Sequence, residues 1–335
     1  MNDILKFISK SLIPFGYHLR PYQGINFMRI PQLEKELEQS ENITNSRKSC
    51  QLFPLKNQQI APASLDHLTV FLRTCVRDNR NTNKTPRLSG ADDLENVLRC
   101  SWSLIKSLNN AKIERPKLKI RLVVLDDRSS DTTKQTLQNL LNKCLYPAEF
   151  QTTQTTGQGY SLHQQFEMCK SEPGLVYCVE DDYLHEPDAI ERMLDFYKKT
   201  ALGINSHLVI YPQEHGLLYS NHYPSYILAE PDGHWRSMRH ATHTFLTHSQ
   251  IVKDNWDCFE NTKFVGIKKK RRLGSEARTT NRLFNLYPGF SPLKPCAVHL
   301  QYESLLPPYY NWRPLWDASQ YPEKENQKNI SMASR

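Results

Sequence analysis

GLVYCVEDDYLHEPDAIERM, residues 174–193, passes from an apolar run to three acids and then to a helical pattern within one short span. Leu175, Val176, Tyr177, Cys178 and Val179 are too few for a helix and rich in strand formers, so they read as a buried strand. The strand ends on Glu180, Asp181 and Asp182. Pro187 and Asp188 then precede Ala189, Ile190, Met193, Leu194 and Tyr197, whose spacing marks a new helix. Ligands of open α/β sheets sit beyond the carboxyl ends of strands, and alternation points Glu180 and Asp182 the same way across Asp181. Paired carboxylates there suit Mg²⁺ or Mn²⁺. The same acids would also complement the dipole of the helix that follows, and the residues alone leave both readings open.

Outward from this stretch the same layout recurs. The run LTVFLRTCVR from position 68 is apolar on both faces, as a central parallel strand requires, and its end carries Arg73, Thr74, Arg77 and Asp78. Leu94, Val97, Leu98, Trp102, Leu104, Ile105 and Leu108 follow at helical spacing. Residues 119–125 (KIRLVVL) form the next strand, ending on Asp126 and Asp127 before a helix through Leu141. Asp127 is either a ligand contact or a helix cap, although Ser129, Ser130 and Asp131 are better placed to cap. Thr156-Gly157-Gln158-Gly159-Tyr160 is a loop whose glycines either let backbone approach a ligand or simply turn the chain. Alternating strands and helices imply a mostly parallel α/β sheet flanked by helices, with its acids along one edge.

Three of these segments, in this order, resemble the GT-A-fold glycosyltransferases of family 2: LTVFLRTC the first nucleotide-contacting strand, VVLDDRSSDTT the nucleoside loop, and CVEDDY the metal motif. The likeness covers about residues 68–290. It departs at Arg128, where the family usually has Gly, and at Glu180, where Asp is usual. The resemblance implies a Rossmann-like GT-A domain over 61–300, between an N-terminal extension (1–60) and an aromatic C-terminal tail (301–335). It further implies an inverting, metal-dependent transfer of a sugar from a nucleotide-diphosphate donor, taken as a uridine one, to a hydroxyl of a glycan or lipid-linked glycan, as in polysaccharide biosynthesis. Arg73, Thr74, Asp126, Asp127, Gly157 and Asp181 would then contact the donor, and Glu180 and Asp182 would hold Mn²⁺ or Mg²⁺. A late histidine, His299, would complete the metal shell or else be an ordinary core residue. Glu276 falls where the family's catalytic Asp stands, six residues before Arg282 and with Ser275 in place of the preceding Glu. It would take the acceptor's proton; an acid opening a helix is the other reading. The alternatives are a nucleotidyltransferase, which normally shows a Gly-rich loop after the first strand, and a catalytically silent carbohydrate-binding relative.

The remaining features bound the setting. With 43 Lys plus Arg against 35 Asp plus Glu, the 335-residue chain suits a phosphate-bearing or anionic partner, but the excess is too mild to indicate nucleic acid. Lys268, Lys269, Lys270, Arg271 and Arg272 could close over a diphosphate or face solvent. Eight cysteines without a CxxC pair, and no recognisable secretory leader, point to a reducing, cytoplasmic compartment, which makes the sequons at Asn42, Asn83 and Asn329 chance matches. Ile4, Leu5, Phe7, Ile8 and Leu12 oppose Lys6 and Lys10 on a helix that either packs on its own domain or lies peripherally on the inner face of an anionic membrane. Residues 34–60 read as a poorly ordered linker. The histidines of 203–250, with Tyr211, Tyr219, Tyr223, Tyr226 and Trp235 among them, read as a sugar-facing acceptor surface or as packing rather than as a zinc site.

Overall fold

A strand apolar on both faces has to be covered on both, and β1 (His67–Thr74) lies inside a sheet with Leu68, Val70, Phe71 and Leu72 buried. The computed structural model describes residues 58–76, 88–214, 216–220, 225–230 and 233–322, together with the single positions Ile8, Ser11 and Pro14. The amphipathic pattern over 4–12, most of the 34–60 linker, the three sequons, Arg77, Asp78, His215, His222, Tyr223 and the last residues of the tail lie outside the described residues.

β1 pairs in parallel with β2 (Lys119–Asp126) and, on its other side, with β4 (Leu175–Glu180), while β3 (Ala148–Thr152) flanks β2. Parallel neighbours need crossovers, supplied by α1 (Asp93–Glu114), α2 (Asp131–Leu141) and α3 (Gln158–Cys169). Both early helices start on a polar cap. The Asp92 carboxylate accepts from the Glu95 amide at 2.7 Å, and Ser130 Oγ from the Thr133 amide at 3.4 Å. Ser130 is thus the cap of α2, and Asp127 is left for other work.

The sequence pattern placed only a loop between the acids and the next helix. The structure inserts β5 (Tyr183–His185) there, before α4 (Ala189–Ile204). Residues 203–250, read as a sugar-facing surface or as packing, contribute β6 (Val209–Ile210), β7 (Ile227–Glu230), β8 (Gly233–Ser237) and β9 (Phe245–His248); β10 (Gly289–Pro292) and β11 (Ala297–His299) follow. Strands of two to five residues carry too few alternations to be seen locally, apart from the apolar run 294–300 that holds β11, and they form by pairing with one another and, through β9, with β4. β9 pairs antiparallel with β4, Leu175 opposite His248 and Cys178 opposite Phe245. Among the described residues the sheet has nine strands in the order β3-β2-β1-β4-β9-β6-β10-β8-β7, with β9 and β8 running against the other seven. This is a mostly parallel, Rossmann-like α/β sheet flanked by helices. No described helix is long and apolar enough to cross a membrane.

A separate ribbon joins β5 to β11 antiparallel, with Tyr183 opposite His299. It is held from behind by a small apolar cluster in which Trp312 packs with Cys100, Leu184, Val298 and Leu300. The helix Arg313–Asp317 is tied down by Arg99, whose Nη1 donates to the Trp316 carbonyl at 2.7 Å while its guanidinium lies 4.6 Å from the Trp316 ring. The aromatic segment after 301 is therefore laid against the domain, under the ribbon.

Two stability predictions follow from this packing. Trp312→Ala is expected to cost about 3 kcal/mol, because the small cluster cannot collapse into the space left by an indole; urea unfolding reads this directly. Arg128 sits at φ 60°, a left-handed conformation that costs a side-chain-bearing residue about 1–2 kcal/mol. Arg128→Gly is expected to raise the unfolding free energy by about 1 kcal/mol or less, relief of strain being partly offset by glycine's entropy, and a higher midpoint with unchanged m-value would show it.

Candidate active site

The carboxyl ends of β1, β2 and β4 open on one side of the sheet into a cleft of about 880 Å³. Register decides what stands at its floor. Thr74 pairs with Asp126 across β1 and β2, and Arg73 with Glu180 across β1 and β4, so each polar end residue meets a neighbour already in line. Arg73 donates from Nη2 to Glu180 Oε1 in a short, largely buried ion pair, and from Nη1 to Ser161 Oγ of α3 at 3.5 Å. Beside them Asp181 Oδ2 accepts the Cys75 amide at 2.9 Å, which fastens the end of β1 to the end of β4.

The two acids after β2 separate in role. Asp126 is fully buried and accepts from Thr74 Oγ1 at 3.0 Å, from the Ser129 amide at 2.8 Å and from Ser129 Oγ. Expected at the donor, it instead lies inside the loop and off the cleft, because three internal donors already engage it. Asp127 faces the cleft, its amide bonded to the Thr74 carbonyl at 2.8 Å and its Oδ2 accepting the Gly157 amide at 3.0 Å. Gly157, at φ 124°, turns the chain into α3 and brings the helix N-terminus to the cleft. Two residues on, a Cβ at Gly159 would meet the Lys263 carbonyl oxygen at 2.5 Å, so only glycine lets α3 approach the segment that carries Lys263. Arg73, Thr74, Asp127, Gly157 and Asp181 all line the cleft.

Asp182 and His299 meet at the mouth of the β5–β11 ribbon. His299 Nε2 lies 3.2 Å from Asp182 Oδ2, and the Leu300 amide donates to the Asp182 carbonyl at 2.9 Å. The imidazole is stacked on Tyr183 at 4.5 Å between centroids, and the Tyr183 hydroxyl shares hydrogen bonds with Thr242 Oγ1 (2.7 Å) and with the Tyr211 hydroxyl (3.1 Å). Sequence reading missed Tyr183 as the support of His299, for it follows Asp182 directly and looked like part of a loop. Glu180, expected beside Asp182 as a metal ligand, faces the same cleft but gives an oxygen to Arg73. Among the described residues no group of three or more His, Cys, Asp or Glu side chains is arranged to hold a cation. A carboxylate and an imidazole nitrogen as close as those of Asp182 and His299 can still share one, provided a substrate supplies further oxygens.

Glu276 opens the 3-10 turn Glu276–Arg278 on the opposite wall. Its surface is open to the cleft, yet enclosing protein and the Glu180 carboxylate push its carboxyl up to about 7, against the opposing pull of His299. Arg282, whose spacing drew attention to Glu276, is turned away from the cleft and paired with Asp257. Of the basic run, Arg271 lines the cleft; Lys263, unmarked in the sequence, lines it too. For part of the aromatic region the structure decides for packing. Tyr211 is buried, Trp235 is buried against Phe196 at 4.1 Å, and His207 stacks on His248 at 4.2 Å, with burial pushing their imidazoles down to about 3 and about 4. These residues are core, not a sugar platform. From this region Thr242 and His243 reach the cleft, His243 held neutral by burial and by Arg73, which push it down to about 3.

Among curated proteins none matches this chain. Solved structures similar to it include S. aureus TarS, at 16% identity and a TM-score of 0.42 over 67% of this chain and 35% of that one. The 1–349 form of TarS in complex with UDP gives 16% and 0.40, over 67% and 57% of the two chains. A UDP-glucose pyrophosphorylase complexed with UDP-glucose gives 10% and 0.41, over 80% and 99%. This chain thus spans about a third of the whole TarS chain. The sequence model of the family described as "Glycosyl transferase family 2" matches residues 93–260, half of the chain, from α1 to just before the segment that carries Lys263, and the chain belongs to that family of glycosyltransferases.

Proposed function

We propose that this glycosyltransferase moves a sugar, with inversion, from a nucleotide-diphosphate donor to a hydroxyl acceptor in the cleft described above, and that it does so only with a divalent cation. The observation that carries this reading is the charge of the cleft. Asp93, Asp127, Glu180, Asp181, Asp182 and Glu276 line it against Arg73, Lys263 and Arg271, so an unaccompanied diphosphate would enter a field of its own sign. Asp182 and His299 are the residues that would hold Mn²⁺ or Mg²⁺, with Glu180 kept at their side by Arg73. A bound cation would neutralise charge on the departing diphosphate.

The chain's own groups do the rest. Asp127, fixed by the Thr74 carbonyl and the Gly157 amide, accepts a hydrogen bond from the nucleoside, taken as uridine in keeping with the UDP and UDP-glucose bound by the similar structures. The N-terminus of α3 and the cations Lys263 and Arg271 face the diphosphate. Glu276, on the other wall, takes the acceptor's proton as its oxygen attacks the anomeric carbon from the side opposite the leaving group. The acceptor is a glycan or lipid-linked glycan. A screen of nucleotide sugars for release of the nucleoside diphosphate, with and without Mn²⁺, tests the reading without knowledge of the acceptor; no release from any donor would overturn it.

Asp182→Ala is expected to abolish the metal-dependent part of nucleotide binding, measured by isothermal titration of UDP with Mn²⁺, while the circular dichroism spectrum stays unchanged. Equal affinity in mutant and wild type would remove Asp182 from the metal site. Glu276→Gln is expected to lower kcat by about 10²- to 10⁴-fold with donor affinity unaltered. The pH profile separates a base from a structural acid. A carboxyl raised to about 7 is active when deprotonated, so kcat/KM should rise with pH through about 7 and level off above it, and this limb should vanish in the Gln variant. A wild-type profile flat from pH 6 to 8 would place the base elsewhere.

A further inference from the structure

The segment before and after Glu276 carries a strip of positive charge of which only Arg271 lines the cleft. Lys268, Lys269, Arg271, Arg272 and Arg278 flank Glu276 in sequence, the one acid among them, and from 266 to 273 every residue is exposed. Lys270 rests on the Phe264 ring at 4.3 Å, but among the described residues the other five cations have no carboxylate within ion-pair distance. Five like charges repel one another, and a chain that keeps them together next to a site invites an anion. The backbone beneath them is fixed. Leu273 N donates to the Lys270 carbonyl at 2.8 Å, Ser275 Oγ to the Arg272 carbonyl at 3.0 Å, and a Cβ at Gly274 would meet the Val265 nitrogen at 2.5 Å, so the strip is seated on the domain.

Position and number decide what the anion is. Of these cations Arg271 lines the cleft, and with Lys263 it suffices for a diphosphate already accompanied by a metal. Lys268, Lys269, Arg272 and Arg278 lie outside the cleft, before and after Glu276 in sequence. Whatever brings a hydroxyl to Glu276 therefore passes along them. We infer that the acceptor is a polyhydroxylated chain bearing repeated anionic groups, phosphate or carboxylate, which lies along this strip while one of its hydroxyls reaches Glu276. A membrane surface, the other polyanion such a strip could meet, would engage it as a plane and would not need one of its cations, Arg271, to line the cleft beside Glu276. This inference rests on the glycosyltransfer reading, in that it names the acceptor that reading leaves open.

The test measures binding of three fluorescently labelled oligomers of equal length, a phosphodiester-linked glycerol chain, an oligouronic acid and a neutral oligosaccharide, at 50 and 300 mM salt, alongside UDP with Mn²⁺. At least one charged oligomer is expected to bind about tenfold or more tightly than the neutral one, to weaken with salt, and to remain bound when UDP is added. The variant Lys268→Ala/Lys269→Ala/Arg272→Ala is expected to lose about tenfold in oligomer affinity and to keep its UDP affinity within twofold. The charge-keeping variant Lys268→Arg/Lys269→Arg is expected to bind the oligomer like the wild type. Which charged oligomer binds distinguishes phosphate from carboxylate. Equal binding of the neutral chain, displacement of the charged chain by UDP, an unaffected triple variant, or binding to anionic phosphatidylserine vesicles in place of both charged oligomers would each overturn the inference. Oligomer binding without any UDP affinity would instead overturn the donor reading.

Discussion

The register of three parallel strands is the constraint on which the site depends. Because β1 lies between β2 and β4 with Thr74 opposite Asp126 and Arg73 opposite Glu180, the chain reversals after all three strands occur at one level. A slip of one residue in either pairing would turn every side chain of a strand to the other face and bury the acids in the core. The slip is opposed by the apolar filling of the strands. Val176, Tyr177, Cys178 and Val179 have no exposed surface, so a slip would have to repack both faces of the strand at once. Burying one such side chain is worth about 1.5–3 kcal/mol. Catalytic geometry here is a by-product of core packing a few residues earlier in each strand.

Polar groups at the strand ends then sort by who their neighbours are. Asp126 is surrounded by internal donors and becomes structural; Asp127, one residue later, alternates to the other side and meets the cleft. Glu180 meets Arg73 and is neutralised, whereas Asp182 lies two residues on and meets His299 through a ribbon that the C-terminal segment holds in place. The ion pair of Arg73 and Glu180 has a further effect. It keeps one more bare carboxylate from adding to the repulsion among Asp181, Asp182 and Glu276, and the nearness of Glu180 is still felt in the raised carboxyl of Glu276.

What the sequence disclosed follows from the range of each interaction. Strands β1, β2 and β4 and helices α1, α2 and α4 are long, apolar and periodic, and their bounds differ from the sequence reading only at the ends. Asp127, Asp181 and Asp182 could be named because they sit where such strands stop. Asp126 and Glu180 could not be told from them, since their roles depend on Ser129 and Arg73, partners chosen by folding. Of the short strands only β11 showed in the sequence, as the apolar run before His299; β5 to β10 left no local pattern, and with them went the aromatic residues: Tyr211 and Trp235 have the composition of a sugar platform and the position of core. Lys263 was invisible for another reason, since it reaches the cleft only because Gly159 permits α3 to close on its segment.

The charge pattern gives the last step. The floor of the cleft is acidic and its outer wall basic, with Glu276 at the boundary. A base is useful only while its carboxylate attracts the proton more than its surroundings do, and an acidic floor raises its affinity for that proton. Cations placed against Glu276 would lower it again. The guanidinium of Arg282 is drawn off to Asp257, Lys270 lies on Phe264, and the other cations of the strip are exposed, where water screens them. The fold therefore holds the carboxyl of Glu276 near neutrality and attracts anions to the same wall, because burial and Glu180 govern the first while solvent-screened charge a few residues away governs the second.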